Sequence, residues 1–136
     1  MKVLFKEINI TTKYRTELID ISNYVEDYVY KSNINNGFCL VYTIHSTVAI
    51  IVNEYESGLM QDIITKVNED FPKDVEWLHN RVDNNADSHL ASTFMGPSKV
   101  FPVKDGALVR GIWQNIFLLE LDGPRKRKVV LEVMGE

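Results

Sequence analysis

His45, His79 and His89 are the only histidines of the chain, and each falls in a polar break rather than in an apolar run. Neutral imidazole is a borderline-soft nitrogen donor suited to Zn²⁺ or Ni²⁺, and three such ligands leave a fourth position open for water or substrate. Their spacing matches no local metal motif such as His-x-x-x-His, so convergence on one ion depends on the tertiary fold. The competing reading is three separate surface or hydrogen-bonded imidazoles. Ser46 and Thr47 follow His45 directly. Two hydroxyls with neighbouring backbone amides at a strand end suit a bound oxyanion. A nucleophilic Ser46 activated by His45 is the weaker alternative, because no Gly-x-Ser-x-Gly elbow surrounds it.

Glu54 comes just after the apolar run that follows His45. It is a candidate to orient a histidine ring by accepting its N–H, or to act as general base. Glu120 interrupts the apolar run Phe117 to Leu121 and reads as the solvent side of an edge strand. Cys39 lies inside an apolar run and reads as a small core residue rather than a reactive thiolate. The run Gly123-Pro124-Arg125-Lys126-Arg127-Lys128 is the one concentration of positive charge. At a hairpin end it could clamp a phosphate, with Arg binding bidentately. The plainer reading is a solvated surface.

These groups sit on a chain of 136 residues, 45% apolar and 25% charged, a composition that fits one ordinary globular domain spanning 1–136. The 15 Lys and Arg against 19 Asp and Glu leave a net charge of -4, so no broad basic field serves nucleic acid or anionic lipid. Any anion must be bound locally. A single cysteine makes no internal disulfide, and no apolar run approaches the ~18 residues of a membrane-spanning helix. Met1 to Phe5 leads into alternating sequence rather than a secretory apolar segment, which makes the cytoplasm the expected location.

Several elements must position the candidate groups. Residues 3–11, with Ile8 and Ile10 two apart, predict an opening strand. From Thr16, the placement of Leu18, Ile21, Val25 and Val29 predicts an amphipathic helix to about Lys31 with Thr16 as its cap. Two buried strands follow, 38–44 and 48–52, on either side of His45-Ser46-Thr47. Leu59, Ile63, Val67 and Phe71 mark a second helix ended by Pro72. Residues 72–86 read as loop, and a short helix capped by Asp87 or Ser88 runs to Gly96. After Ser98 the pattern turns to strands at 100–103, 107–109, 113–121 and 129–133, with Asp105-Gly106 as a hairpin turn. Helices in the first two thirds and an antiparallel meander at the end favour α+β.

Taken together, several strings resemble one family. They are Gly37-Phe38-Cys39, His45-Ser46-Thr47, Val52-Asn53-Glu54, Asn85-Ala86-Asp87-Ser88-His89-Leu90-Ala91, Gly111-x-Trp113-Gln114 and Glu120-x-Asp122-Gly123-Pro124-Arg125. The chain resembles, over nearly its whole length, the YjbQ family of secondary thiamine-phosphate synthase-like proteins. Where that family often carries Thr-Ser or Thr-Thr after its first histidine, this chain has Ser46-Thr47, which keeps the hydroxyls. The resemblance implies a small α+β protein that assembles as a homotrimer, with mostly antiparallel sheets, two longer helices and one short one. It implies that His45, His79 and His89 converge on a divalent metal, zinc by their donor type.

The resulting expectation is a small metal-binding protein or metal-dependent enzyme that acts on a phosphorylated or anionic metabolite. His45, Glu54 and His89 are its catalytic candidates, and Ser46, Thr47, Asn85 and Arg125 hold the anion. The activity implied by resemblance joins a pyrimidine pyrophosphate to a thiazole phosphate. The alternative is a trimeric binding module without turnover. Neither reading involves nucleic acid or a membrane.

Overall fold

The computed structural model describes residues 1–136. Strands β1 (Lys2–Thr11) and β2 (Glu17–Asp20) precede helix α1 (Ser22–Ser32), and β3 (Gly37–Thr43) and β4 (Val48–Asn53) precede helix α2 (Ser57–Asp70). A 3₁₀ turn at Leu78–Arg81 leads to helix α3 (Ala86–Met95), and β5 (Ser98–Lys104), β6 (Ala107–Leu108), β7 (Asn115–Glu120) and β8 (Lys126–Gly135) complete an α+β chain. No helix is long and apolar enough to cross a membrane.

Two antiparallel sheets carry the architecture, one ordered β1-β8-β3-β5-β6 and the other β2-β7-β4. Side chains alternate faces along a strand. Ile8, Ile10, Val41, Phe101, Val129 and Leu131 therefore point from the larger sheet into one core, where they meet Val25 and Val29 of α1 and Ile50 and Leu118 of the smaller sheet. The other face of the smaller sheet presents Ala49, Leu119 and Leu121 to Val67 of α2 and Ala91 of α3. The outward face of the larger sheet stays open. Phe38 lies opposite both Met134 and Pro102, and Phe5, Phe38 and Val100 are each more than half exposed.

The helix expected from Thr16 is instead a strand followed by a shorter helix. Glu17–Asp20 pairs with β7, which sends Leu18 toward the α2–α3 core and Ile19 toward the inter-sheet core. That apolar pair fits either period, and the tertiary pairing decides it. Asp20 Oδ1 then accepts the Ser22 N–H at 2.9 Å and turns the chain into α1.

The expected C-terminal meander does not form beyond the Asp105-Gly106 hairpin. β7 takes the centre of the smaller sheet and β8 lies between β1 and β3 in the larger one. β7 is a continuous apolar run from Ile116 to Leu119, which belongs at a sheet centre with two covered faces, whereas β8 alternates a buried face with an exposed one. The cap of α3 is Asn85 rather than Asp87 or Ser88. Asp87 instead forms a two-point ion pair with Arg15, and Ser88 Oγ donates to the Leu121 carbonyl at 2.5 Å.

Candidate functional site

Residues 44–47 carry the chain from the end of β3 in one sheet to the start of β4 in the other. This crossover fixes the His45 arm. Thr43 Oγ1 donates to the Lys128 carbonyl at 3.3 Å, and the Lys128 backbone N–H donates to His45 Nε2 at 2.9 Å. A backbone N–H only donates, so Nε2 holds the lone pair and neutral His45 carries its proton on Nδ1. Partial burial holds the imidazole below its ordinary value of 6.5, with Arg127 and Lys128 adding to the effect and Glu120 opposing it.

A buried ion pair lies beneath this arm. Arg127 Nη2 and Nε reach the Glu120 carboxylate at 2.6 and 2.8 Å, and Nη2 also donates to Thr47 Oγ1 at 2.8 Å. Glu120 further accepts from Thr12 Oγ1 at 2.7 Å and from the Leu121 and Asp122 amides at 3.0 and 3.1 Å. Burial acts to raise this carboxyl, but bonds from Arg127, Thr12 and the Asp122 amide outweigh it and hold the group below the usual range. Glu120 is thus fully buried on a central strand, not on the solvent side of an edge strand. Arg127, expected in a solvated cationic run, is 4% exposed for the same reason. A buried charge needs a partner of opposite sign and filled hydrogen bonds.

The second arm comes from α3 and the 3₁₀ turn. His79 Nε2 lies 3.1 Å from Asn85 Oδ1, and Asn85 Nδ2 donates to Asp122 Oδ2 at 2.8 Å. Arg125 clamps Asp122, with Nη2 on its carboxylate at 3.1 Å and Nε on its carbonyl at 2.8 Å. His79 and His89 meet edge to face, with ring centroids 4.7 Å apart. His89 borders two depressions. One, of about 380 Å³, is lined by Tyr42, Ile44, His45, Ser46, His89 and Thr93 among others. The other, of about 310 Å³, is apolar and lies between Trp77, Leu78, His79 and Leu90.

The sequence-predicted residues are brought together in part. His45, Ser46 and His89 share one pocket, and His79 touches His89 from the far side. Thr47 is buried under the loop with its hydroxyl committed to Arg127. Both ends of the Asn85 amide are engaged, and Arg125 is half-exposed beside Asp122. Glu54 is not near the histidines. It follows β4 whereas His45 precedes it, which puts the two at opposite ends of a six-residue strand, roughly 20 Å apart at ~3.3 Å per residue. Within the chain no three His, Cys, Asp or Glu side chains are grouped to hold a metal ion. The donors that fit a borderline cation are the paired imidazoles of His79 and His89. Cys39 is buried in the core, and burial pushes its thiol up to about 12, far from a neutral-pH thiolate.

The sequence assigns neither Asp122 nor Thr12 a role in the site. Asp122 reads as turn chemistry because it precedes Gly123-Pro124, and Thr12 gives no local signal of its long-range bonds.

Relatives share this arrangement of elements. The chain is 43% identical over 136 residues to a UPF0047 protein of Methanothermobacter thermautotrophicus, covering 100% of this chain and 95% of the relative. It is 33% identical over 133 residues to the UPF0047 protein YugU of Bacillus subtilis, covering 97% and 100% of the two. A solved YbjQ-like protein of unknown function from Sulfolobus solfataricus superposes with TM-score 0.98 at 52% identity, with 99% of each chain covered. A hypothetical protein of Aeropyrum pernix does so at 0.95 and 39% identity, covering 98% of this chain and 99% of that one. The family profile described as UPF0047 protein YjbQ-like matches residues 6–136, and with these likenesses it shows that the chain belongs to the YjbQ-like UPF0047 family.

Proposed function

We propose that this protein binds a small phosphorylated or anionic metabolite in the pocket between His45 and His89 and acts on it with the help of a divalent metal. The observation that carries this reading is the pocket itself, where His45, Ser46 and His89 face one space. The Nδ1–H of His45 and the Ser46 hydroxyl are donors to an oxyanion, whereas Arg125 is already engaged with Asp122. Zinc is the ion the paired imidazoles of His79 and His89 would hold, with its other positions left to water, substrate oxygens or a partner chain. When bound, such an ion polarises a phosphoryl oxygen. The transfer between a pyrimidine pyrophosphate and a thiazole phosphate is the first reaction to assay.

The test separates metal from anion. His79→Ala and His89→Ala are each expected to lose bound zinc as measured by elemental analysis, and unchanged content in both variants would refute the metal assignment. His45→Ala is expected to weaken pyrophosphate binding at least tenfold by calorimetry, equivalent to about 1.4 kcal/mol. Unaltered affinity would refute the anion pocket.

One observation favours a second reading, a binding module without turnover. With Glu54 at the far end of β4, no carboxylate lines the pocket to serve as general base. Tight pyrophosphate binding with no turnover of any phosphorylated compound would select that reading. A Ser46 hydrolase has less support, because the His45 Nε2 lone pair is already taken by the Lys128 amide. The homotrimer is proposed on the open apolar face formed by Phe5, Phe38 and Val100. A solution mass of three chains is expected, and a monomer would contradict it.

A further inference from the structure

We infer that Asn85 and Asp122 are positioning residues that lock His79 in its Nε2–H form, so that its Nδ1 lone pair is the atom offered to the site. The inference starts from Asp122. An ionised carboxylate has no proton to give, so the end of the Asn85 side chain 2.8 Å from Asp122 Oδ2 must be the NH₂. That orientation turns the Asn85 carbonyl toward His79 Nε2 at 3.1 Å. A carbonyl only accepts, so Nε2 must carry the ring proton and Nδ1 must be bare.

Nothing in this relay is free to flip. Asp122 is held on three sides: Arg125 Nη2 on its carboxylate at 3.1 Å, Arg125 Nε on its carbonyl at 2.8 Å, and its own amide on the buried Glu120 at 3.1 Å. Asn85 is buried at the start of α3, where the Ser88 and His89 amides bond to its carbonyl. His79, in contrast, lies on an exposed 3₁₀ turn, and beyond its edge-to-face contact with His89 its ring nitrogens make no other side-chain hydrogen bond. Asn85 is therefore a poor direct anion ligand, since both ends of its amide are committed. It acts through His79. The inference extends the proposed site by assigning the accepting atom of one histidine.

The experiment is long-range ¹H–¹⁵N NMR of the imidazoles in uniformly ¹⁵N-labelled, chelator-treated protein, above the pH at which they titrate. His79→Gln identifies the signals. The wild type is expected to give one His79 form, with a protonated Nε2 and a bare Nδ1. In Asp122→Ala, which removes no histidine contact, the freed amide can flip, and the two His79 nitrogen shifts are expected to move toward each other as the forms mix. Asn85→Ala is expected to do the same and serves if Asp122→Ala fails to give a folded amide spectrum. A wild-type His79 protonated on Nδ1, or unchanged His79 shifts in a folded variant, would overturn the inference. Pyrophosphate and zinc are absent from these samples, so the outcome is read separately from the tests of metal and anion binding.

Discussion

His45 and His79 approach the same region but are held by different parts of the chain, one by main chain and one by side chains. The Lys128 amide of β8 fixes His45. A substitution cannot easily remove that amide, because it belongs to the sheet. His79 depends on Asn85, and Asn85 depends on Asp122. Opposite proton positions follow, with His45 donating from Nδ1 and His79 accepting at Nδ1. The proposed binding of an anion beside one ring and a cation beside the other draws on this asymmetry. Beneath both arms lies Glu120, which touches Arg127 on the His45 side and the Asp122 amide on the His79 side.

The sharpest way to break the comparison is to remove what the arms share. Arg127→Met leaves Glu120 charged and buried without its partner, and is expected to lower unfolding stability by about 3–5 kcal/mol in urea titration. A loss below about 1 kcal/mol would mean that the pair does not anchor the junction. Asp122→Ala attacks the side-chain arm alone, at an expected cost of about 1–3 kcal/mol for the groups it leaves unpaired. The pyrophosphate affinity assigned to His45 should survive it, and a parallel collapse of binding would show the arms to be one unit.

The main-chain arm is distinguished by its response to pH. Because the folded state depresses the His45 imidazole below its ordinary value of 6.5, the unfolded chain binds that proton more readily. Stability from this group is complete above the unfolded value and is lost as pH falls through the lower folded one. Urea midpoints should therefore drop more steeply below 6.5 in the wild type than in His45→Gln, and parallel profiles would contradict the assignment. The smallest effect is expected for Lys128→Ala. It removes an exposed ion pair to Glu7 but leaves the amide in place, so a change under about 0.5 kcal/mol is anticipated in the same titration.

The strands flanking His45-Ser46-Thr47 are legible from their apolar runs, and α2 from the four-residue steps of Leu59, Ile63, Val67 and Phe71. Glu17–Asp20 was not, since two adjacent apolar residues fit a helix and a strand equally well until β7 supplies a partner. Glu120 and Arg127 read as surface in the sequence, which shows a charge but not the partner that permits its burial. Their pairing joins β7 of one sheet to β8 of the other. Glu54 shows the reverse error, in which nearness along the chain became distance once β4 was extended between it and His45. The convergence of His45 and His89 is implied by family resemblance, whereas the role of Asp122 rests on its long-range contact with Asn85.

The opposed proton positions of the two histidines are tested most directly by one long-range ¹H–¹⁵N spectrum of the metal-free wild-type protein. The expected result is a bare Nε2 with a protonated Nδ1 for His45, and a protonated Nε2 with a bare Nδ1 for His79. Both rings protonated on the same nitrogen would contradict it.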